Sequence, residues 1–305
     1  MISYFENKLL YLSMASFVFV ASFSLGLFKP EVIVVAFQRE MPRVSPLPVL
    51  SPGTELFPII SAQGAIAVDL TSGVVLYEKN SDLPLLPAST TKIMTALVAM
   101  EYFPKNEILK IDNLSVEGQK MRLVKGEQIS LDSLLYGLLI YSANDAAEAL
   151  AQNHEGGRAA FIEAMNAKAK ALHLDNTHFA NPTGLDEPGH VSTARDMVRL
   201  SAIAMSKPDF AEIVSIKEKT VKSTDEKISH HLVSTNLLLG KLDGMKGVKT
   251  GWTEAARENL VGYVERDNHK ILSAVLGSQD RFGETRELID WVFENYKWEN
   301  LTYSP

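Results

Sequence analysis

The sequence predicts an α+β fold: one antiparallel sheet assembled from both ends of a globular region, with an all-helical stretch packed beside it as a second lobe. Three observations carry this. Alternating apolar segments bounded by turn residues occupy 65–78 and return over 218–276. Between them, 89–214 is dominated by helical periodicity. The composition, 46% hydrophobic and 22% charged over 305 residues, supplies enough apolar side chain for a sizeable core. A cleft between the two lobes is the expected site.

The chain opens with Leu9 to Phe28, an uncharged run between Lys8 and Lys29. At about 1.5 Å per residue it is long enough to span a bilayer, and no Ala-x-Ala cleavage site follows it, so a signal anchor is favoured over a removed signal peptide. Residues 1–37 are assigned to this segment and 38–58 to a linker carrying Pro42, Pro46, Pro48, Pro52 and Pro58. Such a stretch is expected to be extended, semi-rigid and free of secondary structure. The globular domain is 59–305, and either reading of the N-terminus exports it.

Within the domain, Ala65 to Asp69 and Val74 to Glu78 read as a hairpin turning at Thr71-Ser72-Gly73. A helix opens near Ser89 and runs through Met100. Ser130 caps Leu131 to Leu139, Ala143 to Gln152 continues after a break, Arg158 to Leu172 is amphipathic, and Ser192 caps Thr193 to Met205. Glu218 to Val221 pairs with Lys227 to Leu232, and Met245 to Thr250 forms a further strand. Asn259 to Glu265 and Lys270 to Leu276 make a hairpin through Asp267-Asn268-His269. A last helix, Gly283 to Tyr296, turns Leu288, Ile289, Trp291, Val292 and Phe293 to a core.

Charge and cysteine content remove several function classes. The net charge of −7 and the absence of a basic stripe argue against nucleic acid as a partner. With no cysteine there is no disulfide, thiolate nucleophile or Cys-containing zinc site.

Three motifs carry chemistry. In Pro87-Ala88-Ser89-Thr90-Thr91-Lys92, Ser89 and Lys92 share one helix face. A cation in the first turn opposes the helix dipole, and a lysine disfavoured as a cation becomes a base for the neighbouring hydroxyl. Taken alone, Ser89 reads more simply as a helix cap whose lysine reaches to water. Ser142-x-Asn144 falls at a helix break, where capping competes with proton relay and carbonyl binding. Lys249-Thr250-Gly251 ends a strand, where a cation and a hydroxyl suit a substrate carboxylate and the glycine admits close backbone approach.

In this order and these contexts the motifs resemble those of the penicillin-recognising serine enzymes. The chain is most similar to the low-molecular-mass D-alanyl-D-alanine carboxypeptidases, peptidase family S11. The likeness runs from Ala65 to Tyr296 and includes Asn181-Pro182-Thr183-Gly184-Leu185-Asp186, His190, Ser192-Thr193-Ala194, Asp196-Met197 and Asp243 to Ala256. It implies a β-lactamase/transpeptidase-like fold and removal of the terminal D-Ala from peptidoglycan stem pentapeptides through a Ser89 acyl-enzyme, with no metal and no cofactor. Lys92 would take the serine proton, and Ser142 and Asn144 would relay protons and hold the peptide. Lys249 and Thr250 would face the terminal carboxylate, assisted by Arg281 with Arg286 as its rival, and Gly251 and Trp252 would complete the substrate-binding strand. The backbone N–H groups of Ser89 and Trp252 would hold the oxyanion. Implied partners are stem peptides, β-lactams as covalent inhibitors, and a membrane bound through the N-terminal segment. The location implied is the extracytoplasmic face of the bacterial membrane.

Arg257 departs from the family, which usually carries glycine there; if that backbone needs a positive φ, the arginine costs stability. A class A β-lactamase would need a Glu-x-x-Leu-Asn that 176–190 does not contain. A peptidoglycan DD-endopeptidase uses the same residues with another leaving group, and an inactive membrane-tethered peptidoglycan-binding protein is the alternative outside enzymes. His190 reads as structural, and His230 and His231 as solvated strand residues.

Overall fold

Strand alternation and turn chemistry dictate the centre of the molecule. In the computed structural model, which describes residues 46–54 and 57–300, the strands β2 (Gly64–Asp69), β3 (Val75–Lys79), β8 (Met245–Thr253), β9 (Arg257–Arg266) and β10 (His269–Ser278) form one antiparallel sheet. Its order is β3-β2-β10-β9-β8, so chain from both ends of the domain meets at the β2–β10 pair, where Ile66 lies opposite Ala274. The described residues belong to one unit, Val44–Pro305.

Both faces of the sheet are covered. On one face Ala65, Ala67, Leu260, Val264, Ile271 and Val275 pack with Leu288, Ile289 and Val292 of α7 (Arg281–Asn295). Residues one step along each strand, Ile66, Val261, Leu272 and Ala274, join the helical lobe on the other face. The two-residue period of a strand sends neighbouring side chains to opposite cores.

The helical lobe is built on α1 (Lys92–Tyr102), preceded by a 3₁₀ turn at Ala88–Thr91. Residues 92–99 of α1 are all buried, the pattern of a helix enclosed on every side. Around it pack α2 (Leu131–Leu139), α3 (Asn144–Gln152), α4 (Gly157–Ala171), α5 (Ala194–Met205) and α6 (Pro208–Ser215). Ser130 caps α2, accepting from Ser133 N. The cap of α5 is Thr193 and not Ser192: Thr193 Oγ1 accepts from Asp196 N, while Ser192 is engaged with Thr177 and the Leu85 backbone. Two short hairpins flank the lobe, β4 (Ile108–Lys110) with β5 (Gln128–Ser130), and β6 (Glu218–Lys222) with β7 (Ser229–Val233).

The Pro-rich stretch is not wholly without secondary structure. β1 (Leu47–Leu50) pairs antiparallel with β11 (Tyr296–Glu299), placing Pro48 opposite Trp298. A two-stranded ribbon tolerates proline because an edge leaves one side of the backbone unpaired. The apolar segment 9–28 lies outside the described residues, among which no helix is long and apolar enough to cross a membrane.

Candidate active site

Ser89 sits on the 3₁₀ turn and not within the helix itself. Ala88, immediately before Ser89, has φ +48°, and this bend presents the Ser89 hydroxyl at the mouth of α1. Two glycines hold the turn from either side. A Cβ on Gly184 would lie 1.9 Å from the Ala88 carbonyl oxygen, and one on Gly251 would lie 3.0 Å from Ser89 N. Asn259 fixes the approach from below, donating through Nδ2 to Leu86 O and accepting from Gly277 N.

Lys92 Nζ lies 2.8 Å from Ser89 Oγ and 2.6 Å from the Thr183 carbonyl oxygen. The side chain is fully buried. Burial, and then the nearby positive charge of Lys249, hold its pKa well below the usual lysine value, outweighing the opposite influence of Asp145 and Glu148. Nζ donates to Thr183 O and to Ser89 Oγ, and a lysine so disfavoured as a cation gives up its proton more readily, which frees a lone pair for the Ser89 O–H. Thr183 O is aimed by an Asx turn: Asn181 Oδ1 accepts from Thr183 N, Thr183 Oγ1 and Gly184 N. Thr95 Oγ1 ties the same segment to α1 through Pro182 O at 2.7 Å.

Ser142 occupies a left-handed position, φ +62°, at the break between α2 and α3. Its Oγ accepts from Lys249 Nζ at 2.8 Å, which joins the second motif to the third. Lys249 also donates to Thr250 O, and burial followed by the charge of Arg281 brings its pKa down to about 7. Thr250 Oγ1 is 2.6 Å from Thr235 Oγ1, so two hydroxyls sit side by side in the cleft. Asn144 donates through Nδ2 to Glu117 O, while its buried Oδ1 has no partner. Between them, Asp145 accepts from Met121, Arg122 and Leu123 N–H groups, clamping the loop that forms the opposite wall.

Ser89, Ser142, Asn144, Thr250, Gly251, Trp252 and Arg281 line a single cleft of about 820 Å³ between the helical lobe and the sheet edge β8. Trp252 is 62% exposed at its lip. Of the two arginines, Arg281 faces the cleft with Nη1 3.3 Å from Gly251 O, whereas Arg286 is directed to Lys241 O. Among the described residues no cluster of three or more His, Asp or Glu is arranged to hold a metal ion.

Several contributors went unassigned in the sequence. Thr183, Thr235 and the wall residues Glu117, Gly118 and Gln119 come from loops without periodicity, with only Asn181 to Asp186 inside a recognisable run, and Asp145 lies in the first turn of α3. His190 is buried as expected of a structural residue: Nδ1 accepts from Ala180 N, leaving Nε2–H for Thr91 Oγ1 at 2.8 Å. Burial lowers its pKa to about 4. His230 corrects the expectation of a solvated pair. It is buried, with Nδ1 2.8 Å from Met121 O and Nε2 2.8 Å from Glu127 Oε1, whereas His231 is exposed. Adjacent residues of β7 face opposite sides, so only one of the two reaches solvent.

A serine hydrogen-bonded to a buried lysine of lowered pKa, beside a Ser-x-Asn and a Lys-Thr-Gly strand, is the motif set of the penicillin-recognising serine enzymes. The chain belongs to the D-alanyl-D-alanine carboxypeptidase family, Peptidase_S11, which it matches over residues 53–280. It is 35% identical over 251 residues to the D-alanyl-D-alanine carboxypeptidase DacF of Bacillus subtilis, covering 79% of this chain and 64% of that protein. It is also 35% identical to a D-alanyl-D-alanine endopeptidase of Pseudomonas aeruginosa, covering 82% and 83% of the two chains. The crystal structure of a D-alanyl-D-alanine carboxypeptidase from Mycobacterium tuberculosis superposes with a TM-score of 0.75 at 33% identity, covering 83% of this chain and all of that one. The chain thus spans a little under two thirds of the length of DacF.

Proposed function

We propose that this protein is a serine-type D-Ala-D-Ala carboxypeptidase that removes the terminal D-Ala from peptidoglycan stem pentapeptides. The observation that carries it is the 2.8 Å contact between Ser89 Oγ and a fully buried Lys92 Nζ held below its usual pKa. Ser89 Oγ attacks the carbonyl carbon of the penultimate D-Ala as its proton passes to Lys92. The developing oxyanion is met by the N–H groups of Ser89 and Trp252. When the C–N bond breaks, the proton returns through Ser142 to the departing amine of D-Ala. Water then attacks the ester, Lys92 takes its proton, and Ser89 is restored.

Lys249, Arg281 and the paired hydroxyls of Thr235 and Thr250 suit the substrate's terminal carboxylate. A β-lactam presents the same carboxylate and acylates Ser89 as its ring opens. Rapid deacylation of such an adduct is not expected, because 176–190 contains no Glu-x-x-Leu-Asn and its one glutamate, Glu187, accepts from Asn181 Nδ2. The resemblance to the Pseudomonas endopeptidase supports a second reading, cleavage of D-Ala crosslinks, which differs only in the leaving amine. The segment Leu9 to Phe28 supports placement at the outer face of the membrane, with the domain exported.

The test is D-Ala release from a pentapeptide ending in D-Ala-D-Ala by the wild type and by Ser89→Ala. Release by the wild type alone is expected. No release by a folded wild type that still cleaves crosslinked dimers would replace the carboxypeptidase reading with the endopeptidase one.

A further inference from the structure

Arg281 opens α7, where the helix dipole and the unpaired backbone N–H groups favour an anion over a cation. Glu258 holds it there. This residue of β9 lies opposite Trp252 in the register with β8. Glu258 Oε2 accepts from Arg281 N at 2.9 Å, and Oε1 lies 3.8 Å from Nη1 of the same arginine. One carboxylate thus meets both the backbone and the guanidinium of a single residue.

The guanidinium is placed but not used up. Nη1 donates to Gly251 O at 3.3 Å, and the group lies over the Phe282 ring, 4.7 Å from its centroid. Arg281 Nε is buried and has no partner among the described residues. A guanidinium carries five N–H donors, and the donors left over suit an anion entering the cleft that Arg281 lines. Burial disfavours this cation, and the charge of Glu258, followed by that of Asp280, works against that. Glu258 itself does not line the cleft, so any influence it has on a bound peptide passes through Arg281. A planar fork recognises a carboxylate only when its orientation is fixed, and Glu258 supplies the fixed end.

We propose that Glu258 is a positioning residue that aims Arg281 at the terminal carboxylate of the substrate, and so sets the preference of this cleft for a free C-terminus over a capped one. The inference rests on the D-Ala-D-Ala reading above and adds the residue through which Arg281 is aimed.

The test compares a pentapeptide ending in D-Ala-D-Ala with its C-terminal amide, on the full chain. Binding is read as competition with a fluorescent penicillin for Ser89, and D-Ala release from the free acid is followed beside it. The wild type is expected to favour the acid by about tenfold or more. Glu258→Ala lowers that preference roughly fivefold, through a higher KM for the acid with kcat little changed, and leaves the amide unaffected. Glu258→Gln keeps an acceptor for Arg281 N and recovers part of the loss. In the Arg281→Leu background the alanine substitution at 258 adds less than about twofold, because the two residues act as one unit. Thermal midpoints establish that each variant is folded. Equal competition by acid and amide with the wild type would overturn the proposal. So would a Glu258→Ala effect that falls equally on both peptides, or one that persists in full in the Arg281→Leu background. An acid preference that Glu258→Ala removes, in a protein that releases no D-Ala, would sustain the proposal while refuting the carboxypeptidase reading.

Discussion

Arg257 offers a direct test of backbone strain next to the active strand. It follows the turn Glu254-Ala255-Ala256 between β8 and β9, lies opposite Thr253, and has φ +58°. This is the left-handed position of a short hairpin loop, which glycine occupies without penalty. A residue with a Cβ costs about 1–2 kcal/mol there. Glycine returns about 0.4–1 kcal/mol of that through the greater freedom of the unfolded chain. The arginine side chain is exposed and makes no hydrogen bond or ion pair among the described residues, so nothing offsets the strain. Arg257→Gly is therefore expected to stabilise the protein by on the order of 1 kcal/mol, raising Tm by roughly 2–4 °C. Arg257→Ala retains the Cβ and is expected to change stability by less than about 0.5 kcal/mol. Thermal melting and urea titration of the three proteins give the answer. A glycine variant no more stable than the alanine variant would refute the argument.

Other consequences concern charge. Lys249, with a pKa of about 7, loses its proton as pH rises through neutrality, so affinity of the free enzyme for a peptide carboxylate is expected to fall up to tenfold per pH unit above 7; a pH profile of peptide competition checks this. His190 titrates at about 4 when folded against an ordinary 6.5. The unfolded chain then binds the proton first, so stability is full above pH 6.5 and declines toward pH 4 by on the order of 3 kcal/mol. Denaturation midpoints of wild type and His190→Asn should converge across that window. Arg281→Leu is expected to lower kcat/KM for the pentapeptide at least tenfold while Arg286→Leu changes it less than threefold, since only Arg281 reaches the cleft.

The parts of this fold that announce themselves in sequence are those whose signals are local. β9 and β10 alternate cleanly about a turn whose Asp267 and Asn268 both adopt positive φ, and Ser130 caps the helix it precedes. Ser89, Lys92, Ser142 and Lys249 were legible because each motif spans only three or four consecutive residues, and the hydrogen bonds Lys92 to Ser89 and Lys249 to Ser142 join them in the fold. What escaped depends on partners far along the chain. Leu47–Leu50 looked like linker because Pro48 argues against a strand, and its partner lies some 250 residues away. His230 looked solvated because nothing near it announces that Glu127 will be folded against it.

The turn that bears Ser89 is gripped between two residues that have no side chain, Gly184 and Gly251. Any added carbon at 184 meets the Ala88 carbonyl, and one at 251 meets the backbone nitrogen of the nucleophile itself. In a saturation library screened for penicillin labelling, position 184 should therefore be as intolerant as Ser89 and position 251 should tolerate only small residues, although neither supplies an atom that reacts. The exposed Trp252 side chain beside them should accept many replacements, because only its backbone N–H is asked to act. Intolerance in this protein will consequently map where Ser89 is braced as much as where a β-lactam would bond.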